Sequence, residues 1–150
     1  MAVPSAAAIL DELNQKDPPV LALLWQCRTT EYLHVWEEGP LLPRRFARLL
    51  LQQGHPTLAL EVASRGLAER YRDDLDLLYC RALALVNSGN TTRAALFVQE
   101  LLERTDLPLA IRSDALSLAG RIRKDVAGRT ANPSTRAETQ RDPRRRRVIG

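Results

Sequence analysis

Residues 47–60 read ARLLLQQGHPTLAL, and residues 82–95 repeat the pattern 35 positions later as ALALVNSGNTTRAA. The repeat continues beyond these segments, and its identical pairs are Ala47 and Ala82, Leu50 and Leu85, Gly54 and Gly89, Thr57 and Thr92, Ala59 and Ala94, and Leu67 and Leu102. A repeat of this length made of two helices is typical of a solenoid. Because solenoids present extended binding surfaces, the pattern favours an interaction scaffold.

The residue types at the shared positions suit two antiparallel helices. The four alanines fit the points where helices cross, because a larger side chain there costs about 1–3 kcal/mol by overpacking. Gly54 and Gly89 allow the left-handed conformation that ends a helix and reverses the chain. The shared leucines are expected to fill the space between helices and towards the next repeat; they are Leu50, Leu67, Leu85 and Leu102.

Periodic apolar residues and stop signals predict helices at 5–15, 20–37, 43–53, 57–70, 75–88, 92–104 and 109–126. Ser5 is expected to cap the first helix. Thr29 and Thr30 weaken the middle of the second stretch and leave room for a break there. Helix capping is favoured over a cation site for the acidic cluster before the fifth helix, which consists of Asp73, Asp74 and Asp76.

Three parts follow from these boundaries: an N-terminal helical segment (1–41), repeats over 42–127 (43–72, 75–106 and a partial unit at 109–127), and a tail at 128–150. The net charge of +4 comes from the tail, since residues 1–127 sum to −1 and residues 128–150 to +5. The helical part therefore has no general nucleic-acid footprint. The tail has no periodic apolar residues, Gly128 is expected to end the last helix, and disorder is predicted beyond it.

The repeated unit resembles the tetratricopeptide repeat. That family has a small residue in the first helix, a glycine at its end and an alanine five residues later, which match Ala47, Gly54, Ala59 and Ala82, Gly89, Ala94. The chain departs from the family at the tryptophan-like position (Pro43, Leu78), at the aromatic position of the second helix (Ala63, Val98) and at the closing proline (Tyr71). The resemblance implies an all-α, right-handed superhelix of antiparallel helix pairs.

Residues 116–125, LSLAGRIRKD, carry a narrower resemblance. They are similar to the start of a further repeat in the TRAF-binding, tetratricopeptide-like region of mitogen-activated kinase kinase kinases and its bacterial relatives. This resemblance covers roughly residues 42–127 and implies a regulatory scaffold. It also implies a third repeat that stops after its first helix, whose unpaired end would expose apolar surface.

The expected function is a non-catalytic scaffold that binds a protein segment, either a peptide or a helix. Its groove is expected along the first helices of successive repeats, with contacts from Arg48, Leu51, Leu78, Arg81 and Leu85. Solenoids often present arginines to acidic peptides. Arginines on the repeat helices include Arg81, Arg93, Arg112 and Arg121.

Two alternatives remain open. The cluster Arg144, Arg145, Arg146 and Arg147 is able to contact phosphates of RNA, DNA or an acidic membrane, or it is simply a solvated end. Alternatively, the chain is a truncated regulatory fragment of a larger signalling protein.

Chemical motifs are sparse. His34 and His55 lack a second ligand at helical spacing, and no phosphate loop, dinucleotide motif or nucleophile elbow occurs.

Cys27 and Cys80 have no metal or CxxC spacing, which favours buried free thiols in a reducing cytoplasm. No run of about 18 apolar residues predicts a membrane span. The sequence therefore predicts neither an enzyme nor a cofactor.

Overall fold

The structure is a computed structural model that describes residues 3–131, and every regular element in this range is helical. The elements are α1 (Ala6–Leu13), α2 (Val20–Cys27), a 3₁₀ helix (Thr30–Glu37), α3 (Leu41–Gln52), α4 (Pro56–Glu69), α5 (Leu75–Asn87), α6 (Thr91–Leu102) and α7 (Leu109–Ala131). The all-α prediction is confirmed for this part of the chain.

Two predicted boundaries change. The stretch 20–37 is not one helix: α2 ends at Cys27 and a 3₁₀ helix starts at Thr30, so the break lies at the threonines that weaken the stretch. Gly128 does not end the last helix, which continues to Ala131. An interior glycine costs a helix only about 1 kcal/mol relative to alanine, and good helix formers on both sides outweigh it. The remainder of the predicted tail, residues 132–150, lies outside the described residues.

The chain reverses direction through the same type of glycine turn after α3 and after α5. Gly54 has φ +80° and Gly89 has φ +89°, so both adopt the predicted left-handed conformation. The amide of His55 donates to the Leu50 carbonyl, and the amide of Asn90 donates to the Leu85 carbonyl, both at 2.8 Å. These bonds satisfy carbonyls that the helix end would leave unpaired, as in a Schellman motif.

Side-chain caps begin three of the helices. Ser5 Oγ accepts the Ala8 amide at 3.2 Å, as predicted, and Asp74 Oδ1 accepts the Leu77 amide at 2.9 Å. Asn90 Oδ1 accepts the amide of Arg93 at 3.4 Å, so α6 starts at Thr91. Each cap satisfies one of the amides that a helix start leaves free.

The helices pack as two hairpins followed by α7. Helix α3 packs on α4, α5 packs on α6, and α4 and α6 each also pack on the next helix in the chain. The four crossing alanines are 0% exposed, as the repeat predicts: Ala47, Ala59, Ala82 and Ala94. One buried cluster joins α1–α5 and a second joins α5–α7, with Leu60 and Leu78 packed against both. The first helices α3, α5 and α7 are in contact side by side.

The outer side of α7 is open. Leu109 is 80% exposed, Leu116 53% and Val126 45%, because no described element covers them. Apolar surface therefore remains on α7, as expected for a helix that lacks a pairing helix within residues 3–131.

Candidate functional site

Helices α3, α5 and α7 present polar side chains around one tyrosine. We call this surface the first-helix face, and its members are Arg44, Arg48, Asp76, Tyr79, Asn87, Asp114 and Arg121. Tyr79 is 9% exposed, and the guanidinium carbon of Arg48 lies 5.2 Å from its ring centroid. Burial raises the pKa of Tyr79, with a further contribution from the charge of Asp114 and opposition from Arg48 and Arg121. Tyr79 thus lies among charges from both neighbouring helices.

Ion pairs join α3 to the start of α5. Arg44 Nε donates to both carboxylate oxygens of Asp74, at 3.0 and 2.8 Å, and Arg48 Nη2 donates to Asp76 at 2.9 Å. The hydrogen bond to Asp74 raises the pKa of Arg44. The Asp74 side chain is only 5% exposed, so this bidentate contact is partly protected from water. The acidic cluster therefore caps α5 and also holds the two arginines of α3 in place.

A second polar contact joins α5 to α7. Arg121 Nη2 donates to Asn87 Oδ1 at 2.8 Å across 34 positions of sequence. Together with the α3 pairs, this contact fixes side chains of three separate helices on one surface. Binding needs such fixed groups, because a side chain that is already ordered loses less entropy when a partner arrives.

The predicted contact residues separate into different environments. Arg48 lies on the first-helix face, whereas Leu51 and Leu78 are half-buried against the first apolar cluster. Leu85 is 1% exposed and belongs to the second cluster, so it has no surface to offer a partner. Arg81 turns to α6, where its guanidinium stacks on Phe97. The five residues predicted to line the groove therefore lie in different environments, and their contact with a partner stays a prediction.

The helical period explains why the predicted residues of α5 lie on different sides of that helix. Ala82 must face α6 to meet Ala94, and Leu85 follows three residues later on the same side of α5. The side that faces α3 and α7 instead carries Asp76 and Tyr79, spaced by three residues, and Asn87. The position of Ala82 in the repeat already indicates which side of α5 faces α6.

A cleft of about 430 Å³ lies between α2, the 3₁₀ helix and α4. Its apolar lining includes Leu24, Leu33, Trp36 and Val62. Charged residues also line it, and they pair as Arg28 with Glu61, Arg65 with Glu69, and Arg70 with Glu37. Each positive charge is matched by a negative one, so this cleft has no net charge that selects a ligand.

Both cysteines are buried free thiols, as predicted. Burial raises the pKa of Cys27 to about 11, with a further contribution from Glu12. Burial likewise raises the pKa of Cys80 to about 11, although the charge of Arg48 opposes the effect. Both groups are therefore neutral thiols at physiological pH, which makes them poor nucleophiles.

Within residues 3–131, no group of three His, Cys, Asp or Glu side chains is arranged to hold a metal ion. In the same part of the chain, no helix combines the length and the apolar character of a membrane span. The chain matches no protein-family model, no curated protein and no solved structure.

Proposed function

We propose that this chain is a non-catalytic protein-interaction module, a tetratricopeptide-like right-handed solenoid that binds a segment of a partner protein along its first-helix face. The observation that carries the proposal is the convergence of ordered polar groups from α3, α5 and α7 around Tyr79. A surface shared by successive helices suits an extended peptide or a helix, because either ligand contacts several repeats at once.

The chemistry of the face favours a partner with both charged and apolar groups. Arginine and tyrosine are the residue types that most often dominate binding energy at protein interfaces. Arg48 and Arg121 supply guanidinium donors, while Asp76 and Asp114 supply acceptors. A uniformly acidic or basic peptide would meet repulsion from half of these groups.

Affinity capture with the full chain tests this proposal. A bait that carries both Arg48→Glu and Arg121→Glu is expected to capture at least about tenfold less partner. Each substitution places a carboxylate where the partner would otherwise meet a guanidinium donor. Arg65→Glu is the matched control, since Arg65 lies on α4 and is 62% exposed. The proposal fails if the double variant and the control capture the same proteins in the same amounts.

A second bait separates the helical part from the basic tail. In this bait Arg144, Arg145, Arg146 and Arg147, which lie outside the described residues, are changed to serine. Capture should be unaffected by these changes and by nuclease. Loss of capture in this bait, together with sensitivity to nuclease and salt, would instead support the nucleic-acid alternative. A cytoplasmic location belongs to the same proposal, because buried unpaired thiols fit a reducing compartment.

A further inference from the structure

The two hairpins differ at three equivalent positions. Phe46, Leu58 and Val62 of the first hairpin correspond to Arg81, Arg93 and Phe97 of the second, each 35 residues later. In the first hairpin all three positions are apolar and belong to or pack against the first cluster. Phe46 is 0% exposed, and its ring lies 5.4 Å from that of Trp36. The repeat therefore accepts apolar side chains at all three positions, but the second hairpin has arginine at two of them.

In the second hairpin two guanidinium groups share one aromatic ring. The guanidinium carbon of Arg81 lies 3.6 Å from the centroid of Phe97, and that of Arg93 lies 5.6 Å from the same centroid. Cation–π contact holds each guanidinium near the ring, but it leaves their N–H groups free to donate to another ligand. Both cations therefore contact Phe97, and the charge of Arg93 acts on Arg81.

Neither cation has a carboxylate partner within 4.0 Å in the described part of the chain, whereas six other arginines there are ion-paired: Arg28, Arg44, Arg48, Arg65, Arg70 and Arg104. The Nε atom of Arg81 is buried and has no hydrogen-bond partner among residues 3–131. Burial lowers the pKa of Arg81, the charge of Glu100 opposes this effect, and the charge of Arg93 lowers the pKa further.

This combination is unfavourable for the chain alone. A buried donor without an acceptor destabilises the fold, and two like charges near one ring repel each other. An anion that binds both guanidinium groups would offset the repulsion between their charges. Charge-assisted hydrogen bonds from arginine to carboxylate or phosphate are among the strongest that proteins form.

We propose that Arg81 and Arg93 form a binding site for an oxyanion carried by a peptide partner, with Phe97 as the platform that holds both guanidinium groups. The oxyanion is either the carboxylate of an acidic side chain or the phosphate of a phosphorylated one. The charge of a phosphate at neutral pH, about −1.5 to −2, matches the two cations more closely. The site lies on the side of α5 that faces α6 and is separate from the first-helix face, so either proposal can fail without the other.

The test is a titration of the full chain, labelled with ¹⁵N, followed through the arginine Nε–Hε signals in NMR spectra at constant ionic strength. The probes are N-acetyl-phosphoserine amide and N-acetyl-glutamate amide, with N-acetyl-serine amide as the uncharged control. Saturating shifts are expected at Arg81 and Arg93 with a charged probe, but not at Arg65 or with the uncharged probe. Tighter binding of phosphoserine assigns the site to phosphate, and equal or tighter binding of glutamate assigns it to carboxylate.

Two variants sharpen the result. Arg93→Gln changes an exposed side chain and is expected to weaken binding at least about tenfold, because one of the two donors is lost. Glu100→Gln removes the competing negative charge and is expected to tighten binding severalfold. The proposal is overturned if neither charged probe gives saturating shifts at Arg81, or if Arg93→Gln binds as tightly as the unchanged chain.

Discussion

The two hairpins share a backbone but not a surface. The first hairpin, α3 and α4, is covered on one side by the N-terminal segment, where Trp36 meets Phe46. The second, α5 and α6, has Arg81 at the equivalent position, stacked on Phe97. The turns and alanine crossings remain the same in both. The comparison shows that the repeated positions fix the helix pairing, whereas residues between them decide which side chains each hairpin presents.

The largest expected difference between the hairpins is at this pair of positions. Phe46→Ala removes a ring with no exposed surface and is expected to lower the free energy of unfolding by about 3–5 kcal/mol. Arg81→Ala loses one cation–π contact but also an unpaired buried donor, so a change below about 1 kcal/mol is expected. Urea unfolding followed by circular dichroism measures both. Equal decreases in the free energy of unfolding would mean that positions 46 and 81 contribute to stability in the same way.

The crossing alanines should respond alike in both hairpins. Ala59→Trp and Ala94→Trp each force a large side chain between packed helices and are expected to cost about 1–3 kcal/mol. Ala68→Trp is the control, because Ala68 is on the exposed side of α4 and its replacement should change stability by less than about 0.5 kcal/mol. Thermal melting tests the set. An unchanged melting temperature in Ala94→Trp would contradict the repeat register.

The caps of α5 and α6 should differ. Asp74→Ala is expected to cost about 1–2 kcal/mol, since it removes the cap and also the partner of Arg44. Asn90→Ala loses only a long cap bond of 3.4 Å and is expected to cost about 0.5–1 kcal/mol. Chemical unfolding of both variants shows which substitution lowers the free energy of unfolding more. In an Arg44→Ala background the excess cost of Asp74→Ala should disappear, and a persistent excess would assign it to the cap alone.

The smallest difference between the hairpins is expected at the two turn glycines. Gly54→Ala and Gly89→Ala each place a Cβ in a left-handed conformation and are expected to cost about 1 kcal/mol. An added Cβ meets no other atom within 4 Å at either site, so the cost is conformational. Gly120→Ala in α7 serves as the opposite case and should stabilise the chain by about 0.5–1 kcal/mol. A difference above about 0.5 kcal/mol between Gly54 and Gly89 would show that the turns are not equivalent.

The sequence predicted the pairing of the helices well because its cues are local. Glycine at 54 and 89, alanine at the crossings and Asp74 before α5 each impose a conformation within one or two turns. The N-terminal segment was harder, since the 3₁₀ helix depends on tertiary contacts such as the bond from the Trp36 indole to the Cys27 carbonyl at 2.8 Å.

The candidate site was less predictable because it depends on rotation about the axis of α5. A shift of one residue turns a helix face by about 100°, which exchanges Tyr79 for Leu78 or Cys80. An aromatic residue in an apolar helix predicts burial, which holds for Tyr79 at 9% exposed, but this pattern does not predict the polar groups that surround it. The proximity of Arg81 and Arg93 to one ring was also not predictable, since it needs the distance between α5 and α6.

The matching turns at Gly54 and Gly89 also bear on how such a chain changes length. Both junctions use the same glycine conformation and the same hydrogen bond to a carbonyl of the helix that ends there. Duplication of residues 54–88 would therefore join helix end to turn without creating a new kind of junction. A protein built in this way can gain a whole hairpin in a single genetic event. Its row of first helices then lengthens by one helix at a time, while point substitutions at positions such as 46 and 81 change each hairpin separately.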